Sequence, residues 1–110
     1  MEHKKRRNKE MFDNDRYMTS GISADVPLEL TIYLWVLIDE MKGKLEIDYL
    51  QILSIESEPH DKGYKLTVTH SQEIPSYKKI HEIYSEKSIQ GKIFVIDDQS
   101  HSTMLWAHEY

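Results

Sequence analysis

The chain of 110 residues contains no cysteine, only four glycines and only three prolines. Without cysteine it can form no disulfide, no thiolate metal site and no cysteine nucleophile. The same absence fits a reducing compartment such as the cytoplasm. The four scattered glycines form no phosphate-binding loop, and no Gly-x-Ser-x-Gly elbow is present. No motif therefore specifies a reaction.

Long hydrophobic runs are also missing. The longest apolar stretch, residues 30–38, is about half of the roughly 20 residues that a transmembrane helix needs. The first ten residues are mostly charged and lack the apolar centre of a secretory signal. We therefore expect a soluble cytoplasmic protein without membrane contacts.

Charge divides the chain into two parts. The whole chain has 14 basic and 19 acidic residues, a net charge of −5. Residues 1–10 contain five basic and two acidic residues, so the remaining hundred contain nine and 17, a net charge of −8. We predict a basic disordered extension over residues 1–10 and a single domain over residues 11–110. The acidic domain argues against nucleic-acid binding, although the basic extension leaves that alternative open.

The strongest local pattern covers residues 27–41. Between residues 30 and 38 only Thr31 is neither apolar nor aromatic. Residues 23–25 offer N-cap side chains, Pro27 suits a first helical turn, and Gly43 suits a helix C-terminus just after Lys42. This pattern predicts one long helix that is covered on most of its sides.

The rest of the domain shows strand patterns. Residues 76–85 also fit a helical period, but their isoleucine and tyrosine content favours a strand. The predicted fold is α+β, with one buried N-terminal helix packed on a twisted antiparallel sheet of about five strands. Closure into a small barrel of the Sm or SH3 type is left open. The predicted strands are 47–57, 64–69, 76–85, 92–97 and 103–108, with a short early strand at 16–20.

The loop between the last two predicted strands is the one candidate for metal chemistry. Asp97, Asp98 and His101 lie on it and could converge on a divalent cation. The alternative is that the aspartates shape the turn through hydrogen bonds to the backbone. The turn explanation is favoured, and we predict no catalytic residue, metal ligand or cofactor.

Tyrosines interleaved with lysines are the other candidate feature. Lys65 lies beside Tyr64, and Lys78 and Lys79 follow Tyr77. Such a patch could stack nucleic-acid bases, but tyrosine and lysine are also common at protein interfaces, which suit an acidic domain better. The candidate interaction residues are Asp98, His101, Tyr64, Tyr77, Lys78 and Lys79.

Several segments together resemble a known family of small proteins of unknown function from Gram-positive Firmicutes, first described from staphylococci. The resemblance runs from residue 11 to the C-terminus and implies a small cytoplasmic protein, often encoded near mobile elements. The family has no assigned activity, so no catalytic residue can be transferred. The segments are Arg16-Tyr-x-Thr-x-Gly21, Val26-Pro-Leu-Glu-Leu30, Asp48-Tyr-Leu-Gln51, Lys92-Ile-Phe-Val-Ile-Asp-Asp98 and His101-Ser-Thr-Met-Leu105.

Together these patterns predict a non-catalytic protein that acts through contacts with an unidentified protein partner. A second apolar face on the predicted helix makes a homodimer one form of that partnership. The alternatives are a nucleic-acid-associated small-barrel protein and, less favoured, a metal-dependent enzyme at the 97–101 loop.

Overall fold

A computed structural model describes residues 10–110 of the protein. The prediction of a disordered extension concerns residues 1–10, of which 1–9 lie outside the described residues. Within residues 10–110, six strands, two α-helices and one short 3₁₀-helix follow one another. They are β1 (Asp15–Met18), α1 (Ser20–Asp25), α2 (Leu28–Asp39), β2 (Leu50–His60), β3 (Gly63–Gln72), β4 (Tyr77–Ser85), β5 (Gly91–Asp97), β6 (His101–Trp106) and the 3₁₀-helix Ala107–Glu109.

All six strands belong to one open sheet, in the order β1-β6-β5-β2-β3-β4. Neighbouring strands are antiparallel except β1 and β6, which run parallel. The α+β class is therefore confirmed, but the prediction of about five purely antiparallel strands is wrong, and the sheet does not close. A barrel would require the two edge strands, β1 and β4, to pair with each other, and among the described residues they do not.

The predicted helix of about residues 27–42 is observed as α2, Leu28–Asp39, and it is preceded by a short helix, α1, that the sequence did not predict. The Thr19 side chain accepts a hydrogen bond from the Ile22 backbone at 3.2 Å and caps α1, where the sequence interpretation had placed the end of a short strand and the N-cap of the following helix. Val26 is extended because a following proline disfavours the helical conformation. Helix α1 therefore ends before Val26, and α2 begins as a separate helix at Leu28. Gly43 does adopt a positive φ of 80°, but four residues beyond the end of α2.

The prediction that α2 is covered on most sides is also wrong. Its inner face is buried against the sheet, but Leu28, Ile32 and Val36 are 64%, 54% and 41% exposed. One helix on one face of an open sheet has only one covered side, since the fold supplies no second layer above it. The buried residues of α2 are Leu30, Thr31, Leu34, Leu37 and Ile38.

The strand predictions are largely confirmed, including the ambiguous segment 76–85, which forms β4. Their bounds move by a few residues. β2 continues to His60 and turns into β3 over only two residues, because Asp61 adopts a positive φ of 51°. The sequence interpretation had placed a longer loop there.

The core lies between the helices and the inner face of the sheet. Its largest fully buried side chains include Phe12 from the N-terminal segment, Leu34 and Ile38 from α2, and Leu53 and Ile93 from the central strands. Burying each such side chain contributes about 1.5–3 kcal/mol. Within residues 10–110 no helix combines the length and the apolar character needed to cross a membrane.

Candidate functional site

The exposed side of α2 carries a row of aliphatic side chains. Leu28, Ile32 and Val36 are spaced four residues apart, so their side chains form one ridge along the helix. We call these three residues the α2 ridge. A lone exposed leucine is ordinary on a protein surface, but a contiguous apolar row marks a contact surface more often than chance exposure does.

Beside α2 a groove separates the first half of the helix from the end of β4. It encloses about 540 Å³, within the range typical of ligand pockets. We call this groove the furrow. Its main lining residues are Glu29, Leu30 and Tyr33 from α2 and Leu66, Ile83 and Tyr84 from the sheet.

The strand beside the furrow is a free sheet edge. β4 pairs with β3 on one side and has no strand partner on the other among the described residues. It exposes Ile80 and Tyr84 on its outer face. Lys78 and Lys79 are exposed near its start, where edge lysines discourage pairing with another chain. The second half of β4 has no lysine, so this protection is weaker there.

Four rings pack between α2 and the end of the sheet. Tyr33 meets His81 edge to face at 6.4 Å between ring centres, and His70 meets Tyr77 in the same way at 5.4 Å. Burial lowers the pKa of His70 to about 4, and burial also lowers the pKa of His81. Both imidazoles are therefore neutral at pH 7.

The protonation of His70 follows from its hydrogen bonds. Gln51 uses its amide nitrogen to donate to Gln72 at 2.7 Å and to the Asp48 carbonyl at 2.9 Å. Its amide oxygen, 2.7 Å from Nε2 of His70, must therefore be the acceptor. The proton of His70 is thus on Nε2, and its Nδ1 is buried without a hydrogen-bond partner among the described residues.

In the loop that was the candidate for metal chemistry, both aspartates accept hydrogen bonds from backbone N–H groups. Asp97, only 7% exposed, accepts hydrogen bonds from the backbones of Phe12 and Gln99, both at 2.7 Å. Asp98 accepts from the backbones of Ser100 and His101. The His101 backbone donor is the main cause of a lowered Asp98 pKa. The two carboxylates thus serve different contacts, and both have the turn-forming role that the sequence favoured.

Within residues 10–110, no three histidine, aspartate or glutamate side chains converge in a way that could hold a metal ion. His101 lies 3.5 Å from Asp98 and packs edge to face against Tyr17 on the outer side of the sheet. Asp98 and His101 are brought together as neighbours in the turn, but they lie far along the sheet from β4, where the other candidate residues are.

The structure does not gather the candidate tyrosines and lysines into one patch. Tyr64 and Tyr77 lie at opposite ends of the β3–β4 ladder, and Lys78 and Lys79 point to opposite faces of β4. Lys65 lies 3.3 Å from Glu58 and 3.7 Å from Glu82, and the Glu58 hydrogen bond raises its pKa. Its charge is therefore balanced by carboxylates.

Sequence reasoning anticipated a second apolar face on the helix but did not assign it to Leu28, Ile32 and Val36, and it missed the furrow. The all-round apolar character of residues 30–38 was a usable signal for the ridge, since a helix on an open sheet must expose some of it. The furrow had no sequence signal, because it depends on how far α2 lies from β4.

The described fold is that of a small α+β protein: two helices on one face of an open mixed sheet, with an uncovered ridge and a free edge strand. The chain belongs to the family described as "Staphylococcal protein of unknown function (DUF960)", whose model matches residues 15–109. The family resemblance read from the sequence is thereby confirmed.

One solved structure is similar over most of its length. It is the crystal structure of a protein of unknown function from Enterococcus faecalis, 27% identical, with a TM-score of 0.70. The match covers 89% of this chain and 92% of that one. A comparison with curated proteins found no match.

Proposed function

We propose that this protein is a non-catalytic cytoplasmic protein that acts by binding another protein, and that the α2 ridge is part of the contact. The observation that carries the proposal is the exposure of Leu28, Ile32 and Val36 in one continuous row. Covering these side chains removes apolar surface from water, which favours association.

The surroundings of the ridge suit a protein partner. Glu29, Asp39 and Glu40 are exposed on or beside α2, so the apolar row has acidic neighbours. An apolar centre with a charged rim is the usual composition of a protein interface. A second copy of the chain is one such partner, since a row centred on Ile32 can pack against itself about a two-fold axis.

A catalytic role has less support. The histidines with shifted pKa values, His70 and His81, are held under α2, and the Asp97 carboxylate is occupied by backbone donors. A nucleic-acid role is also less supported, because Lys65 is paired with two glutamates and residues 11–110 carry a net charge of −8.

The proposal is tested by replacing Ile32 with aspartate. Ile74→Asp is the matched control, because Ile74 is equally aliphatic and 77% exposed but lies in the β3–β4 turn. Both variants should keep the wild-type urea unfolding midpoint, since neither side chain is in the core. Wild type and both variants are immobilised and exposed to lysate of the native host, and the bound proteins are quantified by mass spectrometry.

We expect at least one protein to be captured by wild type and Ile74→Asp but lost with Ile32→Asp, and to bind again when purified. Light scattering of the purified chain shows in parallel whether the partner is a second copy. The proposal fails if Ile32→Asp captures the same proteins as wild type and also leaves the oligomeric state unchanged.

A further inference from the structure

We propose that the furrow and the second half of β4 bind an extended peptide segment of a partner protein. The segment would add to the sheet as a seventh strand beside β4, place a large apolar side chain in the furrow, and bring basic residues to its acidic rim. This site is separate from the α2 ridge, so the two proposals stand or fall independently.

The first support is the free edge of the sheet. An edge strand turns alternate N–H and C=O groups away from its partner, and an extended peptide satisfies them by pairing as a further strand. β4 offers nine residues, and Lys78 and Lys79 restrict the accessible part to its second half. The backbone from Ile80 to Ser85 is therefore the part open to pairing.

The second support is that the furrow opens directly beside this part of the edge. Ile83 and Tyr84 of β4 line it together with Leu30 and Tyr33 of α2. Side chains of a paired strand alternate between the two faces of the sheet, so every second residue of the peptide would point towards α2. An aliphatic or aromatic residue there would be covered by the helix on one side and the strand on the other.

A second groove continues from the same place and lengthens the site. It encloses about 390 Å³ at the β2–β3 turn and shares Tyr84, Ser85 and Glu86 with the furrow. His60 and Tyr64 also line it, and His60 packs against Tyr84 at 5.0 Å between ring centres. The site thus has room for more than one side chain of an extended segment.

The charge of the grooves indicates which residues the bound peptide carries. Among the described residues, the side chains that line the two grooves include three acidic ones, Glu29, Asp61 and Glu86, and one lysine, Lys87. Residues 11–110, with nine basic and 17 acidic side chains, attract cations as a whole. An extended segment with one or two lysines or arginines flanking an apolar residue therefore fits better than an acidic one.

The test uses the full chain and a phage-displayed library of random dodecapeptides as the probe. Selected peptides are synthesised with a fluorescent label, and their affinity is measured by polarisation. We expect them to share a large apolar residue flanked by lysine or arginine. In ¹⁵N spectra their amide shifts should concentrate on residues 80–85 and on Leu30 and Tyr33, and alternate amides of residues 80–85 should exchange more slowly with solvent.

Two charge-reversal variants distinguish specific binding of the peptide at the furrow from attraction of a basic peptide by the negative net charge of the protein. Glu86→Lys changes the rim that the two grooves share, and Glu56→Lys makes the same change of net charge at an exposed position on β2. We expect Glu86→Lys to weaken binding by about tenfold and Glu56→Lys to leave it within about twofold.

Three results would overturn the proposal. Equal weakening by both variants would mean unspecific charge attraction. Shifts confined to Leu28, Ile32 and Val36 would place binding on the α2 ridge instead. Shifts of residues 80–85 that depend on protein concentration without peptide would mean that a second copy of the chain covers the edge.

Discussion

The guanidinium of Arg16 lies over the indole of Trp35, 4.7 Å from the ring centre, and so joins the edge strand β1 to helix α2. The same side chain donates to Asp39 at 2.5 and 3.1 Å and to the Phe12 carbonyl at 3.1 Å. The hydrogen bond from Arg16 is the main cause of a lowered Asp39 pKa. One side chain thus holds the N-terminal segment and the last turn of α2 in place.

Replacing Arg16 with lysine should destabilise the protein although the charge is kept. A lysine cannot contact Asp39 through two nitrogens, stack on Trp35 and reach Phe12 together, because it has a single nitrogen. We expect a loss of about 1–2 kcal/mol in the free energy of unfolding, measured in urea. In a double-mutant cycle, the loss should be smaller in the Trp35→Leu background. Equal losses in both backgrounds would show that the stacking contributes nothing.

The sequence alone could predict the secondary structure around Arg16 but not the contacts that its side chain makes. Strands β2 to β6 could be predicted because an alternation of apolar and polar residues indicates that one face of a strand is buried. The helix around Trp35 was legible for the same kind of reason. The partners of Arg16 were not, since they come from segments far apart in the chain whose meeting depends on β1 pairing in parallel with β6.

The error about the covering of α2 has a physical origin. Apolar content predicts how much surface a helix would gain by burial, but it does not say whether the fold supplies enough layers to provide it. The structure supplies one layer, so Leu28, Ile32 and Val36 are left outside. The apolar composition of the helix therefore indicated a second apolar face, but only the structure shows that Leu28, Ile32 and Val36 form it and are exposed.

The effect of Gly21→Ala on stability should depend on Glu109, being destabilising when Glu109 is present and stabilising when it is removed. A Cβ atom on Gly21 would lie 2.5 Å from the Glu109 carboxylate, which is held by hydrogen bonds from the Trp106 backbone and from Thr19. Gly21→Ala should therefore displace the carboxylate and destabilise the protein. In a Glu109→Ala background the clash is absent, and alanine in helix α1 should instead stabilise it by about 0.5–1 kcal/mol.

The four proteins of that cycle are compared by urea unfolding at pH 7. The expected result is destabilisation by Gly21→Ala in the wild type and stabilisation in the Glu109→Ala background. If Gly21→Ala has the same effect in both, the close approach does not control stability.

Asp97 and Asp98 are neighbours in sequence, but replacing Asp97 with alanine should reduce the free energy of unfolding more than replacing Asp98. Asp97→Ala leaves the buried backbone N–H of Phe12 without its acceptor and also removes the partner of Asn14. We expect a loss of about 2–4 kcal/mol in the free energy of unfolding. Asp98→Ala removes an exposed turn contact and should cost clearly less.

Thermal melts with and without millimolar Zn²⁺ or Mn²⁺ accompany these measurements. The wild-type melting temperature should not change with either ion, because the Asp97 oxygens already accept hydrogen bonds from the chain. A rise that Asp98→Ala abolishes would revive a metal-binding role for the loop.

The burial of His70 should make the protein less stable in mild acid. Its pKa is about 4 in the folded state, against about 6.5 when unfolded, so between these values the unfolded chain binds more protons. Stability therefore falls as the pH drops from about 6.5 to about 4, by at most about 3 kcal/mol. Burial of His81 acts in the same direction. The stabilising effect of the lowered pKa values of Asp39, Asp98 and Glu109 is lost as the pH falls through their ordinary values of 3.8 to 4.5 and below, so it adds to the decline only at the acid end of this range.

Urea unfolding at pH 7.5, 6.0 and 4.5 measures how steeply the free energy of unfolding depends on pH. His70→Gln keeps a donor for Gln51 but cannot titrate, so its stability should depend less steeply on pH than that of the wild type. His60→Gln, at an exposed position on the β2–β3 turn, should keep the wild-type slope. If His70→Gln is as pH-sensitive as the wild type, or if His70 titrates above pH 6 in the folded protein by NMR, its imidazole is not buried as the structure shows.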